Sequence, residues 1–128
     1  MLIYDTQTGE VLQLDTTAAA TGIFKWGAAV VSEGKIYAIP SNAECILVYD
    51  TRKASTFLVD TTGVTTGSDK WLAAVASEGM IYAIPSHAER MLVYDTRKGE
   101  IFQVDTTVAA TGVYKWGAAV VSEGKDQV

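Results

Sequence analysis

The chain predicts an all-β fold in which one four-stranded antiparallel unit is used three times, and two observations carry that expectation. The first is a period. KWGAAVVSEGKIYAIP at 25–40 returns as KWLAAVASEGMIYAIP at 70–85 and begins again as KWGAAVVSEGK at 115–125. Trp26, Trp71 and Trp116 stand forty-five residues apart, as do Tyr4, Tyr49 and Tyr94. A fixed spacing of this size marks a repeat architecture, in which each unit buries its apolar face only against its neighbours. The second is that each unit divides into four short apolar or β-branched runs separated by turn residues.

In order along the unit, the first strand is expected at 27–31, ending in Ser32-Glu33-Gly34; Gly recurs at 79 and 124. A glycine held at that phase predicts a positive φ in a tight hairpin. The second strand, 35–39, stops at Pro40, which cannot donate to a ladder and suits a strand end. After the Ser-Asn-Ala-Glu loop comes the third strand, ILVY at 46–49. Asp50-Thr51-Arg52-Lys53 forms the next turn, in which an aspartate hydrogen-bonds its own backbone. The fourth strand is TFLV at 56–59, followed by a connection over 60–70. Gly9 and Gly99 follow the Asp-Thr turn in two copies, whereas the other has Ala54. If that position is left-handed, Ala54 costs about 1 kcal/mol.

The alanines at 16–31 invite a helical alternative. The corresponding stretch 61–76 contains Thr-Thr-Gly-Val-Thr-Thr-Gly, rich in breakers and β-branched residues, and copies this similar share one structure. Strand is therefore expected in all three. Runs such as ILVY and KIYAI are apolar almost throughout, as in a sheet covered on both faces. Hairpin-linked four-stranded sheets stacked on like neighbours are the blades of a β-propeller. The paired alanines Ala28-Ala29, Ala73-Ala74 and Ala118-Ala119 fit an innermost strand, where blades crowd an axis.

Those motifs carry a family resemblance. AAVVSEGKIYAIP at 28–40, followed by ILVYD at 46–50, resembles a kelch-type or WD40-like propeller blade, and the resemblance spans the whole chain. Pro40-Ser41 and Pro85-Ser86 stand where kelch units carry Gly-Gly. The resemblance implies a propeller; it implies no particular activity.

Met1-Leu2-Ile3 has the phase of 46–48, and Asp126-Gln127-Val128 that of 36–38. The chain thus reads as three units cut within the loop matching 39–45. Propellers close with four to eight blades, and an open row of three would expose two apolar faces. The expectation is a homodimer, six blades in all, with the split unit completed across a twofold axis.

The net charge of −5, with lysine and arginine scattered over turns, argues against nucleic acid. No run approaches the roughly 20 apolar residues of a membrane span, and MLIYDTQTGE is not a signal peptide. Cys45 is the single cysteine, so a reducing, cytoplasmic setting is expected.

Neither phosphate-loop nor zinc-protease nor nucleophile-elbow patterns occur, and neither an enzyme, a cofactor nor a metal is expected. The repeated aspartates Asp5, Asp50, Asp95, Asp15, Asp60 and Asp105 read as turn caps. Glu33, Glu78 and Glu123 at the inner hairpin tips are the better candidates for a carboxylate ring, against the plainer reading of solvated charge. Trp26, Trp71 and Trp116 read first as packing between units, with the N–H on a carbonyl, and second as stacking platforms for a sugar or peptide. Asn42 and His87 occupy one variable loop position, Cys45 and Arg90 another. The expected function is a non-catalytic self-assembling scaffold with a possible protein or glycan ligand. The alternative is a multivalent lectin-like binder with pockets near the Trp and Glu positions.

Overall fold

The computed structural model describes residues 2–4, 6–13, 25–63, 70–106, 116, 120–122 and 125–127. Among them every regular element is a strand. β1 (Leu2–Tyr4) and β2 (Val11–Gln13) form a two-stranded sheet. β3 (Trp26–Ser32), β4 (Lys35–Pro40), β5 (Cys45–Asp50) and β6 (Ser55–Asp60) form a four-stranded antiparallel meander, here the first sheet. β7 (Trp71–Ser77), β8 (Met80–Pro85), β9 (Arg90–Asp95) and β10 (Glu100–Asp105) form the second. β11 (Val120–Ser122) and β12 (Lys125–Gln127) make a further two-stranded sheet. The helical alternative fails over 26–31, while 16–24 lie outside the described residues. So do Asp5, Asp15, Glu123, Val128 and 64–69. No helix among the described residues is long and apolar enough to cross a membrane.

The turns explain the sheets' register. Glu33 and Gly34 have φ of 51° and 78°, and Glu78 and Gly79 have 51° and 79°. Two successive left-handed residues define the hairpin turn whose twist matches the flanking strands, so Ser32 pairs with Lys35 and Ser77 with Met80. Glycine is favoured here by φ, and the arginine of the next turn lies over it. A Cβ on Gly34 would lie 3.1 Å from the Arg52 guanidinium, and one on Gly79 would lie 2.9 Å from that of Arg97. At the next turn, Asp50 Oδ1 accepts from the N–H groups of Arg52 and Lys53 at 3.0 and 3.2 Å. Asp95 repeats this with Arg97 and Lys98 at 3.0 and 3.1 Å. The position after each such turn is left-handed: Gly9 at 77°, Ala54 at 54° and Gly99 at 68°. Ala54 therefore pays the steric cost that glycine avoids.

Pro40 is the last residue of β4 and pairs with Trp26 across an irregularity between Trp26 and Ala28. Trp71, Ala73 and Pro85 repeat that bulge in the second sheet. The bulged residue differs, Gly27 in one and Leu72 in the other. A Cβ on Gly27 would stand 2.9 Å from Leu72 Cδ2 and 3.0 Å from the Trp71 carbonyl oxygen. β3 and β7 approach closely at this point, and only one of them has room for a side chain.

The core lies between the two sheets. Tyr37, Ile39, Ile46 and Val48 of the first meet Trp71, Ile81, Ala83, Leu92 and Tyr94 of the second. The Tyr37 and Tyr94 rings pack tilted by 54°, with centroids 6.0 Å apart. Side chains alternate faces along a strand. Tyr37 and Ile39 therefore point one way, and their repeat equivalents Tyr82 and Ile84 point away from Ile81 and Ala83. The first sheet thus presents one face and the second presents the opposite face. Packing is head to tail, one repeat's front on the next repeat's back.

Both faces of each sheet carry apolar burial. All six residues of β5 are buried, as are Ile84 and Val93 on the side of the second sheet away from the first. The outermost strands are the exception: Phe57, Leu58 and Phe102 stay 44–48% exposed.

Candidate functional site

Each first strand opens with a lysine and a tryptophan, and the loop between the second and third strands folds over them. The N–H groups of Ser41 and Ala43 both donate to the Lys25 carbonyl, at 2.8 and 2.9 Å. Those of Ser86 and Ala88 do the same to Lys70 at 2.9 and 3.1 Å. Half-buried Asn42 and His87 lie between these donors, so each sits at the lysine–tryptophan end of its own sheet. Small residues at 41, 43, 86 and 88 allow the loop to lie flat against the strand.

The indole N–H of Trp26 donates to the Cys45 carbonyl at 3.2 Å, and that of Trp71 donates to the Arg90 carbonyl at 3.1 Å. Beyond that shared bond, the two sites differ. Trp71 is wholly buried in the core between the sheets. Lys70 is buried with it, its backbone N–H on the Ser41 carbonyl at 3.2 Å and its amine 3.8 Å from the Glu44 carboxylate. Burial pulls the Lys70 ammonium below the usual lysine range, with Glu44 and then Cys45 partly offsetting it. Glu44 also accepts at its carbonyl from the N–H and hydroxyl of Thr61, at 3.1 and 2.9 Å. One loop therefore holds its own strand and the next sheet together.

In the first sheet the equivalent pair is open. Lys25 Nζ stands 5.7 Å from the centroid of the half-buried Trp26 ring, a cation–π distance. Beside them is an apolar hollow of about 430 Å³ floored by Ala28, Ala29, Ala38 and Leu47. Ala38 and Leu47 belong to the face that, one repeat later, carries Ala83 and Leu92. There the same surface is covered by the first sheet.

The glutamates are elsewhere. Glu33 ends the hairpin at the far end of β3 from Trp26, roughly 20 Å away by strand rise. It pairs with Arg97 of the second sheet at 3.1 Å, both side chains more than half exposed. Glu78 sits at the matching exposed tip. The Trp and Glu positions thus do not share a pocket. Trp26 and Asn42 lie at one end of the first sheet, Trp71 and His87 at the same end of the second, and Glu33 and Glu78 at the other end. Trp116 is half-buried. The full burial of Trp71 leaves no open platform there, so packing explains it.

Cys45 is buried, and burial first, then Asp60 and Glu44, push its thiol up, away from the thiolate a nucleophile needs. Among the described residues, no three His, Cys, Asp or Glu side chains are gathered as metal ligands. Sequence reasoning missed Lys70, Glu44 and Arg97, the polar residues that tie sheet to sheet. The available signal was that Lys precedes every Trp, Glu44 and Glu89 end both loops, and Arg52 and Arg97 each follow an Asp-Thr. Comparison with known protein families finds no family model that matches the chain, and comparison with curated proteins finds no match either.

Proposed function

We propose that this chain is a non-catalytic, self-associating scaffold of β-propeller type, kelch-like in its blades, that closes its ring with a second copy. The observation that carries the reading is the head-to-tail seating of the first sheet on the second, one face of the repeat against the opposite face of the next. Such an interface is heterologous: it leaves a front unused on one end and a back on the other, so it propagates until a ring closes. A second copy of this chain supplies further units of the same kind, and six lie within the four to eight blades of a propeller. The hollow beside exposed Ala29, floored by buried Ala38 and Leu47, matches a surface that the same kind of sheet covers one repeat later. On this reading the single buried thiol suits a reducing cytoplasm. Light scattering at micromolar concentration is expected to give twice the 13.7 kDa of the chain. A 13.7 kDa species would refute the reading.

One observation favours a second reading, a lectin-like binder. The Trp26 hollow is of a size that takes a small ligand, with an aromatic face and a cation at its rim. A sugar-dependent rise in melting temperature, lost in Trp26→Ala and kept when Glu33 is changed, would select it.

A further inference from the structure

The two short hairpins carry a more specific inference, which rests on the self-association reading. In the first sheet β3 pairs with β4 as Val30↔Tyr37, Val31↔Ile36 and Ser32↔Lys35. β11 pairs with β12 in the same phase, as Val120↔Gln127, Val121↔Asp126 and Ser122↔Lys125. β5 pairs with β6 as Leu47↔Leu58, Val48↔Phe57 and Tyr49↔Thr56. β1 pairs with β2 as Leu2↔Gln13, Ile3↔Leu12 and Tyr4↔Val11, again in phase. Each hairpin is thus one registered half of the unit that the chain makes twice in full. What each half lacks is the central ladder, which in the complete sheets runs Ile36↔Tyr49 and Tyr37↔Val48, then Ile81↔Tyr94 and Tyr82↔Val93.

Among the described residues β1 pairs only with β2 and β12 only with β11, in separate sheets. Each leaves an edge of backbone donors and acceptors, a template for another strand. We infer that β12 of one copy adds antiparallel to β1 of a second copy, with Asp126 opposite Tyr4 and Gln127 opposite Ile3. The same addition brings the β11–β12 hairpin onto the hollow of the second copy's first sheet, over Ala29 and Ala38. That is where β3 and β4 cover Ala74 and Ala83 of the second sheet. The backbone ladder and the hollow supply the affinity across the added seam.

The test is cysteine pairing. Tyr4→Cys with Asp126→Cys, and Ile3→Cys with Gln127→Cys, are made in the full chain and oxidised. Directly opposed pairs alternate between close and wide spacing, so at least one of the two sits within disulfide reach. Tyr4→Cys with Gln127→Cys is one residue out of register, which puts the sulfurs on opposite faces. The native Cys45 is buried and does not compete. Covalent dimer is expected from an in-register pair and at least tenfold less from the shifted one. It should also form when the two single-cysteine chains are mixed, which places the bond between copies. Twice the chain mass in solution with neither in-register pair linking would overturn the register and leave self-association standing. A disulfide within one chain would overturn the exchange, because the hairpins then meet without a partner. A monomer mass for the matching serine variants and the parent alike would sink both readings. A ladder of linked oligomers would support the strand addition and overturn the closed ring.

Discussion

Trp26 and Trp71 begin the same strand of the same repeat, donate the same indole hydrogen bond across the same nineteen residues, and end in different environments. Trp71 and Lys70 are sealed beneath the first sheet; Trp26 and Lys25 border an open hollow. The local sequence is nearly identical, so it is not what decides burial. The neighbour decides at the rim: the first sheet seats on Ala74 and seals Trp71, while the equivalents Ala29 and Trp26 stay exposed and half-buried beside the hollow, whose floor, Ala38 and Leu47, is buried like Ala83 and Leu92. In a repeat protein, stability divides into a part within each unit and a part between units, and here the two tryptophans report them separately.

The largest expected effect breaks that comparison directly. Trp71→Ala should cost about 3–5 kcal/mol, as for a fully buried aromatic, and Trp26→Ala about half that in dilute solution. Urea denaturation of both variants at low concentration checks it. If copies associate over the hollow, the cost of Trp26→Ala should grow with protein concentration while that of Trp71→Ala barely moves. Equal costs at every concentration would mean that the hollow is not a vacant seat for anything.

A smaller effect sharpens the comparison at the turns. Ala54 and Gly99 are equivalent and both left-handed, at 54° and 68°. The second turn closes with the Gly99 N–H on the Asp95 carbonyl at 2.8 Å. Ala54→Gly should therefore stabilise the first sheet by about 0.5–1 kcal/mol, the steric relief outweighing the added freedom of the unfolded chain. The reverse change, Gly99→Ala, should cost a similar amount. A destabilised Ala54→Gly would show that the loop has relaxed around its alanine.

Much of this was legible in the sequence. The forty-five-residue period gives two sheets of equal length with strands where the apolar runs lie, and glycine and aspartate phases locate the turns. The direction of stacking was not legible. CILVYD is apolar on both faces, so alternation cannot say which face meets which neighbour. Nor was the buried lysine. A charge before each tryptophan reads as solvated, and only the Glu44 loop of the preceding sheet turns Lys70 into an interior group. Glu33 at positive φ was hidden for another reason, since the glycine beside it already accounts for the turn. The candidate site came apart along the strand: Trp and Glu recur with equal regularity, but the seven-residue length of β3 puts them at opposite ends.

The smallest effect concerns a charge that one sheet has and the other lacks. Lys35 lies opposite Asp50, whereas Met80 lies opposite Asp95. The Asp50 carboxyl is held below its usual range of about 3.8 first by the Lys53 backbone N–H. Desolvation opposes that shift, while the Arg52 N–H and then the Lys35 and Lys53 charges add to it. Asp60 is lowered too, by the N–H and hydroxyl of Thr62. For a carboxyl depressed on folding, the unfolded chain binds protons first as pH falls. The stabilisation is whole above the unfolded value and drains away as pH drops through the folded one. Melting temperature should therefore hold from pH 7 to about 5 and decline below 4. Lys35→Met, which copies the second sheet into the first, should make that decline slightly shallower by lowering the neutral plateau by about a degree, because the Lys35 charge is a minor contributor to the Asp50 shift beside the two backbone N–H groups. Asp50→Asn should flatten it further while lowering the plateau, since a neutral cap binds the same two N–H groups less well. An acid limb unchanged in both variants would assign the low-pH loss to other carboxylates, and the caps would then be geometric fixtures rather than charged ones.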